Sequence, residues 1–207
     1  TLGFDDMLGN PQSLELLVAA IKNRDNHWPD NRMEAYELAC KELVKEVNPR
    51  HQQALHRRAL ANHEELLDAA GWLCAILLLG NSRQVFEGED ASSADGSVAL
   101  PDVVDALPSV GPSSESVRRV LQRRLFVKPS GYAPVHRTVA EYLAARHLTK
   151  RINGGGLLPT RLASLMLATP LHLVSNLRGL AGWLAALCEP MQSAIFNADP
   201  AAVLNYG

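Results

Sequence analysis

The sequence predicts a mainly α-helical protein: a helical bundle, then a winged helix-turn-helix with one small β-hairpin, then the start of an α-helical repeat region. Three patterns predict it. As far as Leu79, apolar residues recur at helical spacing within long polar-capped stretches. From Val98 the units shorten to helix, helix and hairpin, the element order of a winged helix. Beyond Gly154-Gly155-Gly156, helix openings recur at roughly 15–20 residues, as at the start of a repeat array. These patterns divide the chain into a helical domain over residues 1–50, a winged-helix domain over 51–152 and a C-terminal helical region over 153–207.

Taken in order, Asn10-Pro11 opens a first helix, with asparagine as cap and proline at the first helical position, where its missing N–H costs nothing. Leu14, Leu17, Val18 and Ile21 give it a buried face. Asp30 or Asn31 caps a second helix with Glu34 in its first turn, and Met33, Tyr36, Cys40, Leu43, Val44 and Val47 form its apolar stripe. Asn48-Pro49 stops it. A third helical pattern runs from about Gln52 to Leu79, polar first and apolar later. Ser82 to Ser97, with Gly88, Glu89, Asp90, Ser92, Ser93, Asp95 and Gly96, reads as a solvated, disorder-prone loop.

A short helix then covers Asp102–Leu107, and Ser113 or Ser114 caps another with Val117, Val120 and Leu121 inward. Leu125–Lys128 and Tyr132–Val135, joined by Pro129-Ser130-Gly131, form the wing. A strong helix follows over about Arg137–Ile152. Further helices start near Pro159, Asn176, Pro190 and Pro200.

Composition excludes some function classes. The 207 residues are 47% hydrophobic and 20% charged, an ordinary globular balance that sets aside wholesale disorder. The formal net charge of −2 lacks the global electropositivity of a dedicated nucleic-acid binder. The three cysteines, Cys40, Cys74 and Cys188, are odd in number and lie on apolar helical stripes, which argues against a disulfide framework and predicts a cytoplasmic protein. No window holds the roughly 18 uninterrupted apolar residues of a membrane span. Thr1 in place of Met predicts a segment of a longer chain.

Motifs for chemistry are sparse. The chain has no GxxxxGK[ST] loop, GxGxxG, HExxH, GxSxG or EF-hand loop. Seven histidines invite a metal reading, but His136 and His147 lie eleven residues apart on one helix, about three turns, too far to share an ion. No metal ligand is therefore assigned. His136, Glu141 and Tyr142 can be drawn as an acid–base set, yet no nucleophile or second carboxylate lies near them, so no catalytic residue is assigned either. Arg118, Arg119, Arg123 and Arg124 form a basic cluster on the would-be recognition helix, which makes a DNA-binding regulator one alternative, although the wing adds only Lys128. A ligand-free helical interaction scaffold is the other.

Three segments carry a resemblance. Leu8-Gly9-Asn10-Pro11-Gln12-Ser13-Leu14-Glu15-Leu16-Leu17 looks like an "NP-x-x-L-x-L-L" helix opening, and Val135-His136-Arg137-Thr138-Val139-Ala140-Glu141-Tyr142-Leu143-Ala144-Ala145 is close to "H-x-x-x-x-E-[YF]-L-A-A". Leu180-Ala181-Gly182-Trp183-Leu184-Ala185-Ala186-Leu187, followed by Asp199-Pro200, is the third. In this order they resemble the region that follows the P-loop core in NACHT-type STAND proteins, the signal-transduction ATPases with numerous domains. The resemblance implies that His136 reaches the β-phosphate of ADP in the switched-off state and that Pro11 packs near the nucleotide base. It implies ADP or ATP as ligand only together with an ATPase core upstream in the same chain, because the Walker A and B segments are missing here. The segment is then a regulator and not an enzyme by itself. The implied partners are that P-loop domain, further copies of the protein on activation, and a protein or peptide effector held by downstream repeats. A charge-assisted bond from an imidazole to a terminal phosphate is worth ~1–3 kcal/mol, enough to shift a two-state equilibrium roughly 5- to 150-fold.

Overall fold

A computed structural model describes Leu14, Val18, Ile21 and residues 28–45, 63–88, 96–109, 111–128, 130–169 and 172–206. Pro11, Leu17 and the Asn48-Pro49 stop lie outside the described residues. Leu14, Val18 and Ile21 are helical, as their spacing predicts. The predicted burial of that face is only partial. Leu14 and Val18 are 38% and 40% exposed, no described element covering them, and Ile21 alone packs against the core.

Helix α1 spans Arg32–Val44. Asn31 caps it by accepting from the Glu34 amide, while the Glu34 carboxylate reaches back to the Asp30 amide at 2.8 Å, a reciprocal cap of the kind the sequence pattern foretold. Helix α2, His63–Leu79, buries Leu66, Leu67, Leu73, Cys74 and Leu77. It closes by a Schellman turn: Ser82 N–H donates to the Leu77 carbonyl across Asn81, whose left-handed φ of 52° an asparagine tolerates.

The segment expected to be a solvated loop is instead partly a sheet. Strand β1, Gln84–Phe86, pairs in parallel with β2, Ser97–Ala99, in the register Val85 to Val98. Val85 also exchanges both backbone hydrogen bonds with Tyr132, at 2.8 Å each. The physical reason is Val85 itself, a buried β-branched residue whose backbone groups must find partners where water is excluded. Helices α3, Leu100–Asp105, and α4, Ser114–Val120, precede the hairpin of β3, Phe126–Val127, and β4, Ala133–Pro134. Ser113 is the α4 cap, and Val117, Val120 and Leu121 all point inward. Helix α2, strand β1, helices α3 and α4 and the β3–β4 hairpin thus follow the winged-helix order, with β1 tied to both β2 and the wing.

Helix α5, Arg137–Asn153, runs directly out of β4 and ends at Gly154. It packs most extensively against α2 and next against α7, Arg178–Leu187. Between α5 and α7 come α6, Pro159–Met166, a hairpin of β5, Leu167–Thr169, with β6, His172–Leu173, and a 3-10 turn at Ser175–Leu177. The β5–β6 hairpin is absent from the sequence reading. Helices α8, Glu189–Ala198, and α9, Pro200–Tyr206, pack on α7, and Asp199 caps α9 through the Ala202 amide at 3.1 Å.

One hydrophobic cluster runs without a break from Tyr36 and Leu43 of α1, through α2 and α5, to Trp183 and Ile195 of the C-terminal helices. Burial at ~1.5–3 kcal/mol per large side chain makes this shared core the main cohesive force. Cys40, Cys74 and Cys188 are all buried free thiols, and burial pushes the Cys74 thiol up to about 12. Among the described residues no helix is long and apolar enough to cross a membrane.

Candidate functional site

The residues of the "H-x-x-x-x-E-Y-L-A-A" signature occupy the first turns of α5, where the wing hands over to the C-terminal helices. Val135 N–H donates to the Leu125 carbonyl at 2.9 Å, which fixes the end of the wing. His136 follows in extended conformation, φ −150° and ψ 140°, as the cap of α5. Its Nδ1 accepts from the Thr138 amide at 3.4 Å and lies 2.8 Å from Thr138 Oγ1. A ring nitrogen that accepts carries no proton, so in this arrangement Nε2 is the protonated nitrogen and the ring's donor.

Arg137, one residue on, donates through Nε to Glu141 Oε1 at 2.9 Å and through its terminal nitrogen to the Asn176 carbonyl, spanning from α5 to the 3-10 turn. Glu141 is buried against Gly179 of α7 so closely that a Cβ there would lie 2.1 Å from Oε2. Burial raises the Glu141 carboxyl above its usual range, against the pull of Arg137. Tyr142 points the other way, donating to Glu37 of α1 at 2.6 Å, with its ring edge-on to Trp183 at 5.1 Å. Burial tends to raise the Glu37 carboxyl, but the bonds from Tyr142 and Arg146 prevail and hold it below the usual range. Arg32 stacks over Trp183 at 4.9 Å. Ala144 and Ala145, both fully buried, allow α2 to approach, and Gly71 of α2 sits where a Cβ would be 2.6 Å from the Leu143 carbonyl.

A second polar set lies at the far end of α5. Asp68 of α2 accepts from His147 Nδ1 at 2.7 Å and from Lys150 Nζ at 2.8 Å, and both His147 and Asp68 are buried. Burial alone would raise the Asp68 carboxyl, but these two partners outweigh it and hold it at about 2.

The acid–base set drawn from sequence is not gathered into a reaction centre. Glu141 answers to Arg137, Tyr142 to Glu37 and His136 to Thr138, each on a different side of α5. Among the described residues no group of three or more metal-ligating side chains occurs. The basic cluster is corrected by the structure. Helix α4 ends at Val120, so Arg123 and Arg124 lie beyond it, in the turns where backbone bonds from Gln122 and Arg123 close the helix end. Arg119 pairs with Glu115 at 2.5 Å, and Arg123 is half-buried, so the four guanidiniums do not form one exposed face.

Glu37, Asp68, Gly71 and Gly179 were missed in the sequence. The two glycines carried a signal, since glycine inside an apolar helix weakens it unless close packing requires it. No protein-family model, curated protein or solved structure matches the chain.

Proposed function

We propose that the chain is the regulatory segment of a STAND-type, NACHT-like signalling NTPase, cytoplasmic and not catalytic by itself. It senses nucleotide state through His136 and relays it to oligomerisation. The observation that carries this reading is the double engagement of the start of α5. His136 stands at the wing end with Nε2 as donor, while Arg137 and Glu141 in the next turn grip the 3-10 turn and α7. A force on His136 from a phosphate would therefore pass into the C-terminal helices through the adjacent Arg137 and the buried Glu141. The reading requires a P-loop domain in the same chain to hold ADP or ATP, and it assigns effector capture to repeats beyond this segment. Pro11 keeps its proposed place beside the nucleotide base on resemblance alone.

A second reading, the ligand-free scaffold, is favoured by the cap that His136 supplies to its own helix. Substitution separates the two. Asparagine is as good a helix cap as any residue but has no donor at the position of Nε2, whereas alanine loses both. In the protein expressed from its whole coding sequence, nucleotide released by denaturation is expected to be ADP. His136→Asn and His136→Ala are both expected to lose it or exchange it faster. Retention by His136→Asn at the wild-type level would reduce His136 to a cap and favour the scaffold.

A further inference from the structure

Below the start of α5 lies a cleft of about 650 Å³, walled by the Schellman turn of α2, the β1–β2 pair, Arg137 and the 3-10 turn. Its polar lining is Asn81, Ser82, Arg83, Gly96, Arg137 and Asn176, and His136 is not part of it. A smaller hollow of about 200 Å³ shares Arg83 and Arg137 and extends the space toward Pro134 and Ala140.

Among the described residues the lining holds two guanidiniums and no carboxylate. Glu141, outside that lining, already accepts from Arg137 Nε. Arg83 differs: among the described residues its guanidinium makes no hydrogen bond or ion pair, although its stem is seated. Gly96, at φ +79°, places no side chain where Arg83 Cγ would lie 3.6 Å away. The negative end of α2 does not oppose an anion here, because Gly80, Asn81 and Ser82 amides occupy the carbonyls of Ile76, Leu78 and Leu77.

We propose that this cleft binds a small phosphomonoester, its phosphoryl group between Arg83 and Arg137. The fork of Arg83, together with the Arg137 N–H groups not used on Glu141 and the Asn176 carbonyl, suits an oxyanion that accepts from both, and a volume within the range of small-molecule sites suits a ligand of sugar-phosphate size. Such a ligand joins Arg83, just before β1, to Arg137 at the start of α5. It therefore favours the state in which the two are docked, by its differential affinity for that state. This site stands apart from the His136 reading and survives if that reading fails. The larger cleft of about 790 Å³ beside Arg151 is a poorer candidate, since Glu64, Glu65 and Asp68 share its lining.

The test is titration of the purified 207-residue chain by calorimetry and thermal shift. The probes are ribose 5-phosphate, inorganic phosphate, ribose and acetate at matched ionic strength. Saturable binding of ribose 5-phosphate, tighter than inorganic phosphate and absent for ribose and acetate, is expected. Arg83→Gln is expected to weaken it about tenfold or more, the loss of a charge-assisted pair, without changing the thermal midpoint of the free chain. Arg151→Gln is expected to leave it unchanged. A response to ribose 5-phosphate no greater than that to acetate, or undiminished binding by Arg83→Gln, would overturn the proposal.

Discussion

Helix α5 carries two sets of the same residue types, and their surroundings make them different objects. Near its C-terminal end His147, Asp68 and Lys150 form a set joined directly across α2 and α5, with His147 and Asp68 buried and Lys150 exposed. Near its N-terminal end His136, Arg137 and Glu141 form a set spread along a boundary, with the ring on its own cap, the guanidinium on another element and the carboxylate against a glycine. The first arrangement satisfies its buried pair directly between two helices, and its value lies in holding them in one register. The second is held by contacts that cross from α5 to the 3-10 turn and α7. Histidine, acid and cation on one helix therefore do not by themselves mark function; what matters is whether their partners lie inside one packed seam or across a joint.

The sharpest way to break this contrast is to disturb the sealed end. Gly71→Ala would place a Cβ 2.6 Å from the Leu143 carbonyl and from His147 Cβ, and neither backbone nor Cβ yields easily. The gain in helix propensity, ~1 kcal/mol, is smaller than the expected overpacking cost. A net loss of about 2 kcal/mol or more in urea unfolding is expected, and a neutral result would mean that α2 and α5 are not closely seated.

Asp68→Asn comes next, with an expected loss of about 2 kcal/mol near neutral pH, from the fall of its carboxyl from an ordinary ~3.9 to about 2. Because the folded value is the lower one, this contribution is present above pH ~4 and is lost as pH falls through about 2. Wild-type stability is expected to decline over that interval more steeply than that of Asp68→Asn in acid titrations of the unfolding midpoint. Equal slopes would show that the carboxylate is not paired.

At the joint the same kind of insult is expected to cost less. A methyl group at Gly179 meets the end of the Glu141 side chain, 2.1 Å from Oε2, and that carboxylate is able to swing outward. Its burial already raises it above the usual carboxyl range, so leaving the site recovers hydration. About 1 kcal/mol is expected for Gly179→Ala, and most of it should vanish when Glu141→Ala is the background of a double-mutant cycle. A cost equal to that of Gly71→Ala would erase the distinction between seam and joint.

The helices were legible in the sequence because their signals are local. Asn31 with Glu34, Ser113 before α4 and Gly154 after α5 each announce an end within one turn. The wing was legible for the same reason, a turn between two short apolar runs. The β1–β2 pair was not, since its three-residue strands meet across an intervening polar stretch and neither shows an alternation long enough to count. Nor was the early end of α4, because the arginines after Val120 are good helix formers and the chain turns for packing reasons that composition does not encode. At the site, the place of His136 was readable from the signature and its cap from Thr138 two residues on. The partners that distinguish the two sets were not. Asp68 and His147 are 79 residues apart, and Glu37 and Tyr142 are 105 apart, distances at which no periodicity speaks.

The smallest expected effect is the one that most sharpens the contrast. His136→Asn preserves an N-terminal cap and removes an imidazole that contributes little burial, so a change within about 0.5 kcal/mol is expected in the 207-residue chain. His136→Ala, which gives up the cap, is expected to cost about 1 kcal/mol. If the isolated chain tolerates His136→Asn while the nucleotide-bound protein does not, the residue's role lies across the joint and not within α5. If both chains lose the same amount, the ring is packed in earnest, and the N-terminal end of α5 is a sealed seam like the other.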